Sequence, residues 1–432
     1  MSPALWGLSV LGILFVVVAL RLPIALALML AGFIGYAGLD GVDRALLVVG
    51  ALPGEMIRGY SFSVVPLFVL MGTVAAASGM SRELYDAARS LARPNARGSL
   101  ASATIGACAM FGAISGSSIA TAATMTRVSV PQMRAAGYRD GFAAGTVAAG
   151  GTLGILIPPS VILVIYALLA EQSVPELFAA ALIPGLLLTA FAILVVKVMA
   201  RRPGVAPPLD TGARAPLKAL ASTWKLLTVF ALSIGGIYLG WFSPTEGAAV
   251  GAFSTLALAV LTRTITLSGI ATALREAVIT SAALFFVFLG ALMFARFIAL
   301  TRLPTTLTEI VGAAGLPALT VILIIILAYI LLGCILETVS MILITVPVFL
   351  PLVVSLGYDP VWFGILVVVV AEMGLITPPI GMNIFVIRSQ LPEIALPTLF
   401  AGVAPYLLAH IALIAVLLAL PGLTAILPRL LL

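Results

Sequence analysis

Two short stretches are built to break a helix and leave its backbone groups free for chemistry. They are Gly154-Ile-Leu-Ile-Pro-Pro159 and Gly374-Leu-Ile-Thr-Pro-Pro379. Proline lacks a backbone donor and pushes the residue before it out of helical conformation, so a double proline interrupts a helix. Carbonyls ahead of such a break lose their intrahelical partners and can ligate a cation. The N–H groups that open the next half-helix can receive an anion. Hydroxyls stand ready in two further stretches, Gly112-Ala-Ile-Ser-Gly-Ser-Ser118 and Glu337–Ser340. Carbonyls and hydroxyls together suit Na⁺, which they can hold without a buried negative charge. The cation candidates are Ser115, Gly116, Gly151, Thr152, Gly154 and Pro158 in the first half, with Glu337, Gly374, Thr377 and Pro378 in the second. Much of this ligation is expected from backbone. The candidates for an organic anion are Ser117, Ser118, Thr121, Thr338, Ser340 and Asn383.

Three acidic residues lie in apolar sequence, and an ionisable group inside a membrane is a functional candidate by default. Glu337 is the one nearest a presumed binding element, and it is the first place to look for proton coupling. For Glu246 and Glu372 the plainer reading is favoured, a helix end or a pairing with Arg. His410, the sole histidine, opens a terminal apolar run without partners for base catalysis and is expected at a membrane interface.

These residues need elements to position them. The chain has 432 residues, of which 62% are hydrophobic and 9% charged. Soluble domains carry about 25% charged residues, so most of this surface faces lipid. Apolar runs such as Ser9–Leu20, Leu319–Leu332 and Ile411–Leu420 recur throughout, each approaching the roughly 20 residues that span a bilayer. Leu5–Leu20 lacks a basic stretch before it and is followed by similar segments, so it reads as a retained membrane helix and not a signal peptide. Cys108 and Cys334 stand far apart without metal-ligand spacing. The formal charge of +6 reflects basic loops and not a nucleic-acid partner.

Those loops orient the chain. Arg82, Arg89, Arg93 and Arg97 lie in one, and Arg127, Arg134 and Arg139 in the next. Arg201, Arg202, Arg214, Lys218 and Lys225 lie in a proline-rich linker over 201–225 that also holds Pro216. The positive-inside rule makes all three cytoplasmic. The segment around Glu171 and Glu176 has no Lys or Arg and is placed outside. Between Arg97 and Arg127 the chain is basic at both ends and rich in Gly and Ser at its centre, which predicts a re-entrant hairpin, tolerable where protein or a water-filled cavity covers it. Gly141–Ala170 then crosses as a broken helix.

The pattern repeats. The two Gly-to-Pro-Pro stretches are offset by 220 residues (374 − 154), and an interrupted apolar region, Leu319–Pro351, precedes the second. The flanking charges are reversed: Ser355–Pro360 has Asp359 and no basic residue, while Arg388 follows the second break. The second hairpin therefore enters from outside. Inverted repeats with discontinuous helices mark the substrate and ion sites of secondary transporters.

Four stretches carry a resemblance. They are Phe111-Gly-Ala-Ile-Ser-Gly-Ser-Ser118, Gly236-Ile-Tyr-Leu-Gly-Trp-Phe-Ser-Pro-Thr-Glu-Gly-Ala-Ala-Val250, Gly333-Cys-Ile-Leu-Glu-Thr-Val-Ser-Met341 and Gly374–Val386. In content and order the chain resembles the large (DctM-like) membrane subunit of tripartite ATP-independent periplasmic (TRAP) transporters. The resemblance implies an all-α polytopic protein of the bacterial inner membrane, working as an elevator. A transport domain made of both hairpins and both broken helices would carry substrate and sodium past a scaffold. No cofactor is implied, only sodium as the coupling ion. Two partners are implied: a small four-helix membrane subunit, expected as a separate chain, and a periplasmic binding protein that delivers a small organic acid. The chain departs from many relatives in having Glu337 where they carry Asp, which bears on pocket size, and in having Ala167 where Gly is common.

On this reading 1–97 and 173–316 form scaffold, 98–172 and 317–390 the two transport halves, and 391–432 a C-terminal helix. The rival within the same fold is a stand-alone sodium- or proton-coupled anion carrier that needs no binding protein. An intramembrane enzyme would require convergent His, Cys or paired Asp, and no such cluster occurs in the apolar segments.

Overall fold

The computed structural model describes residues 2–20, 22–91, 96–208, 221 and 223–432. Arg93, Arg214, Pro216 and Lys218 of the basic loops lie outside them. Among the described residues all regular structure is helical. The first five helices are α1 (Pro3–Ala19), α2 (Ile24–Asp40), α3 (Val42–Arg58), α4 (Val64–Ala77) and α5 (Met80–Leu91). The first repeat follows as α6 (Ser99–Ser115), α7 (Ser118–Ala135), α8 (Asp140–Leu153) and α9 (Val161–Ala170). Next come α10 (Val174–Met199), α11 (Trp224–Tyr238), α12 (Pro244–Leu261), α13 (Leu267–Thr301) and α14 (Leu303–Ala313). The second repeat is α15 (Ala318–Gly333), α16 (Thr338–Ser355), α17 (Pro360–Gly374) and α18 (Met382–Gln390), and the chain ends with α19 (Leu396–Ala419) and α20 (Ile426–Leu431).

Among the described residues six helical segments are long and apolar enough to cross a membrane, counting α4 with the 3₁₀ turn Tyr60–Ser63 before it, or seven with the bent pair α8–α9 counted as one. Large apolar side chains stand exposed on many of them, among them Leu47, Phe253, Leu331 and Leu408. A monomeric soluble protein does not expose apolar surface on this scale; lipid covers it here.

Two packing groups meet. Helices α2, α4, α12 and α13 lie against one another, while α6–α9 interlock with α18 and α19, and α15–α17 pack together beside them. Several residues read as loop sit in helices: Arg82 and Arg89 in α5, Arg127 and Arg134 in α7. Lys225 belongs to α11, where its Nζ lies 2.6 Å from Glu83 on α5. Glu246 takes the helix-end role expected of it, closing a capping box with Ser243 at the start of α12.

The inversion of the repeats is visible in end contacts. Tyr166 near the end of α9 donates its hydroxyl to the carbonyl of Pro360, the first residue of α17, at 2.6 Å. At the opposite end Arg134 of α7 reaches Asp140, which opens α8, at 2.8 Å and Glu393, just after α18, at 2.6 Å. Its own backbone N–H and then Arg134 hold the exposed Glu393 carboxyl below the usual carboxylate range. The first broken helix thus runs from the Arg134 end to the Pro360 end, and the second runs back.

Glycine sets the closest helix contact. A β-carbon on Gly402 of α19 would lie 1.8 Å from the carbonyl oxygen of Gly141 on α8. The obstacle is backbone and cannot rotate away. Gly402→Ala is expected to destabilise the fold by about 1–3 kcal/mol, the ordinary cost of overpacking. Thermal unfolding of the detergent-purified protein checks this, and an unchanged midpoint would mean that α19 can shift freely.

Candidate functional site

The first hairpin tip is made by three residues. Helix α6 ends at Ser115, and Gly116 turns the chain in the left-handed region (φ 62°), which a side chain would disfavour. Ser117 then caps α7, its Oγ accepting from the Ala120 N–H at 3.2 Å. Ser115 and Thr121 hydroxyls meet across the turn at 2.8 Å. The second tip is longer. Helix α15 ends at Gly333, residues 334–337 cross over, and Glu337 precedes α16 without capping it. Ser340 donates a long hydrogen bond back to Glu337, 3.4 Å.

Each tip rests on the break of its own repeat through a pair of glycines. A β-carbon on Gly154 would fall 2.1 Å from Cα of Gly112, and one on Gly374 would fall 2.6 Å from Cα of Gly333. Two contacts of the same kind, at corresponding places in both halves, leave no room for a side chain. At the first break α8 passes through a short 3₁₀ turn, Gly154–Leu156, and α9 restarts at an angle of 45°, capped by Ser160. At the second, Gly381 (φ 61°) precedes α18. The Pro158–Pro159 and Pro378–Pro379 peptide bonds lie in these breaks and are cis.

Between the paired tips and helices α4 and α13 lies a cavity of about 500 Å³, within the range that takes a small organic ligand. One wall is the two tips, with Ser115, Gly116, Ser117, Ser118, Glu337 and Thr338; the other is α4 and α13, with Thr73, Glu276 and Thr280. The hydroxyl stretches of the two halves, more than 200 residues apart in sequence, are brought together here. The remaining candidates stand behind or beside the tips and do not line the cavity. Thr377 donates to the Met373 carbonyl at 2.6 Å. Gly151 lies beside the Ser118 carbonyl and the Asn383 amide. Asn383 is fully buried, and among the described residues neither atom of its amide has a hydrogen-bond partner.

Three readings need correction. Glu372 does lie at a helix end, in the last turn of α17, but that end is buried and among the described residues no Arg pairs with it. It is wholly buried, lines the cavity, and accepts hydrogen bonds from Ser118 of the first tip and from Thr338 of the second, the latter at 2.9 Å. His410 is not interfacial: it is 1% exposed inside α19, with its Nε2 3.2 Å from the Thr152 hydroxyl. That contact, and a second one from Thr152 to the Ala149 carbonyl at 2.7 Å, turn the Thr152 side chain toward α19 and not toward the cavity. Arg127, counted as a loop charge, is an exposed residue of α7 that also lines the cavity. Ten residues of helix separate it from Ser117, about 15 Å, so it stands at the cavity mouth. Its position between Thr124 and Val128 within a continuous helical run was the signal available for placing it on the arm.

The sequence model for the tripartite ATP-independent periplasmic transporter, DctM component, matches residues 11–423. The chain is 34% identical over 381 residues to the C4-dicarboxylate TRAP transporter large permease protein DctM of Pseudomonas aeruginosa, covering 87% of this chain and 88% of that one. It is 33% identical to the sialic acid TRAP transporter large permease protein SiaM of Vibrio cholerae, covering 87% of each. It is 30% identical to the 2,3-diketo-L-gulonate TRAP transporter large permease protein YiaN of Escherichia coli, covering 96% of each. Among solved structures, the Alcanivorax borkumensis YdaH transporter superposes with a TM-score of 0.66 over 98% of both chains at 17% identity. Neisseria gonorrhoeae MtrF superposes with a TM-score of 0.61 over 96% of this chain and 95% of that one, at 13% identity. At such identities these two speak for the fold alone.

Proposed function

We propose, for a chain that belongs to the tripartite ATP-independent periplasmic transporter family as its DctM-type large permease, that it imports a small organic carboxylate by sodium-coupled elevator movement. The observation that supports this most is the convergence of two inverted half-sites on one cavity, with hydroxyls of both tips sharing Glu372. Relatives are named for C4-dicarboxylates, sialic acid and 2,3-diketo-L-gulonate, all carboxylic acids. Helix starts in broken elements favour an anion, and α16 opens at the cavity without a side-chain cap. The carbonyls at the breaks, with Ser115, Gly154, Gly374 and Thr377 nearby, offer sodium its oxygen ligands. The moving body is the interlocked group α6–α9 and α15–α19, and the fixed one is the group around α4 and α13.

The partners proposed are a small membrane subunit on a separate chain and a periplasmic binding protein that hands over the acid. A fused arrangement exists in the family: the isethionate TRAP transporter permease protein DctMQ of Oleidesulfovibrio alaskensis matches at 32% identity, with this chain covering 61% of it.

Uptake of radiolabelled acids into liposomes holding the permease with its small partner tests the reading. Accumulation is expected only with both an inward Na⁺ gradient and the cognate binding protein. Sodium-driven uptake without the binding protein would make the chain a stand-alone carrier. Uptake that follows a proton gradient and ignores sodium would overturn the coupling.

A further inference from the structure

A serine or threonine hydroxyl has one hydrogen to give and lone pairs to receive with. Ser118 and Thr338 both give theirs to the same group. Ser118 Oγ donates to one oxygen of Glu372, and Thr338 Oγ1 donates to the other at 2.9 Å. Glu372 has no exposed surface, and among the described residues no Lys or Arg forms an ion pair with it. Both hydroxyl residues line the cavity. Both hydrogens are committed only while Glu372 is a carboxylate, because a protonated carboxyl would itself donate to one of the two hydroxyls; in that ionised state Ser118 and Thr338 can meet anything in the cavity only as acceptors.

We propose that Glu372 is a positioning residue that fixes the hydrogen-bond polarity of the substrate cavity. It turns both tip hydroxyls into acceptors, so that they select an acid bearing a hydroxyl or amino hydrogen close to its carboxylate. The inference rests on the transport reading and names what that site prefers. A carboxylate group consists of acceptors only, so it gains nothing from Ser118 or Thr338 in this state. It is left to the N–H groups that open α16, where no side chain occupies them. A substrate hydroxyl two or three bonds away then falls to the tip oxygens. An acid of the same length without that hydroxyl leaves one more acceptor at the tips without a donor, which costs more than the hydrogen bond itself is worth.

The replacement Glu372→Gln separates polarity from shape. Glutamine has the same length, but its amide accepts on one side and donates on the other. One tip hydroxyl then becomes the acceptor of that N–H and regains a free hydrogen to point into the cavity. The probes are matched pairs, malate against succinate and lactate against propionate. They compete for the purified permease complex in Na⁺ without binding protein, so that the delivery protein's own selectivity does not enter. The native complex is expected to favour the hydroxylated member of at least one pair by about tenfold or more. In Glu372→Gln that preference should fall to within about threefold, with the unhydroxylated acid bound no more weakly than before.

A cysteine pair, Ser117→Cys with Val339→Cys in a background lacking Cys108 and Cys334, reports whether the tips stay together. Unchanged cross-linking with a lost preference supports the proposal. An undiminished preference in Glu372→Gln overturns it, as does the absence of any preference in the native complex. Loss of all binding together with loss of the cross-link would make Glu372 a purely structural strut and also overturns it. If the native complex binds no acid of any kind without binding protein, this inference is overturned, while the transport reading is decided separately by uptake with the binding protein present.

Discussion

Valine in place of Gly374 is expected to lower uptake more than a hundredfold per folded molecule, and valine in place of Gly154 should do the same. At Gly374 a single β-carbon already falls 2.6 Å from both Cα and the carbonyl carbon of Gly333, and at Gly154 it falls 2.1 Å from Gly112 Cα. The opposing atoms are backbone, so relief comes only from moving the whole tip away from the break. Two methyl groups more would push it by about an ångström or beyond. A displacement of that size at a positioned site can cost about a hundredfold. For Gly374 the consequence is traceable: Thr338 follows five residues after Gly333, and moving that tip draws its hydroxyl off Glu372. Gly50 on α3, whose added β-carbon would meet nothing within 4 Å, is the control, and Gly50→Val should transport almost normally. Uptake normalised to folded, detergent-stable protein is the measurement. A loss smaller than about threefold in both variants would mean that the tips do not need these contacts.

The same residues show what could be read from the sequence and what could not. Both hairpin tips and both breaks were legible, because Gly-Ser runs and double prolines have local consequences that hold in any membrane protein. The inverted orientation was legible from a few loop charges, and the contacts Tyr166–Pro360 and Arg134–Glu393 agree with it. Glu372 was not. Helix α17 is buried along its whole length, and a segment apolar on every side gives no pattern from which the inward face can be read. Nothing local marks position 372 as the one that faces both tips. His410 failed for a related reason: its partner Thr152 is 258 residues away, and an isolated histidine in an apolar run says nothing of a distant hydroxyl. Arg127 was read as a loop charge because a positive residue beside an apolar run looks like its flank, whereas it lies within α7 and lines the cavity.

Family membership fixes the class of the molecule, an inner-membrane transporter permease subunit and not an enzyme, while selectivity depends on geometry that only the folded chain assembles. Among the described residues the cavity is lined by Glu276, Glu337 and Glu372 against a single arginine, Arg127. An anion entering such a place needs positive charge to come with it, which is the physical case for cation coupling whatever the ion. Asn383, behind the first tip, bears on the same balance.

Leucine at position 383 is expected to make the substrate-free protein more stable and the transporter far less active. Asn383 has no exposed surface, yet among the described residues neither its amide oxygen nor its amide nitrogen has a hydrogen-bond partner. A buried polar group left in this condition costs about 1–3 kcal/mol. The amide sits in a crease: a β-carbon on Gly151 would lie 3.4 Å from Asn383 Nδ2 and 3.1 Å from the Ser118 carbonyl oxygen. It is therefore within one small residue of the first tip and of the glycines ahead of the first break. Leucine has the same branched set of heavy atoms and no polar ones, so it should recover part of that cost, up to about 3 kcal/mol less what its larger volume costs in packing. If the amide serves the transport cycle, uptake should fall more than tenfold, the trade of activity for stability seen at functional sites. Thermal unfolding with and without Na⁺ locates the role. The native protein should gain stability from sodium, and Asn383→Leu should start higher and gain less. A variant that transports normally would show that the amide is a tolerated defect. One that loses stability as well as transport would show that its shape matters to the packing of α7, α8 and α18. Only higher stability, weaker transport and a blunted response to sodium, found together, would assign Asn383 to the ion-coupled step.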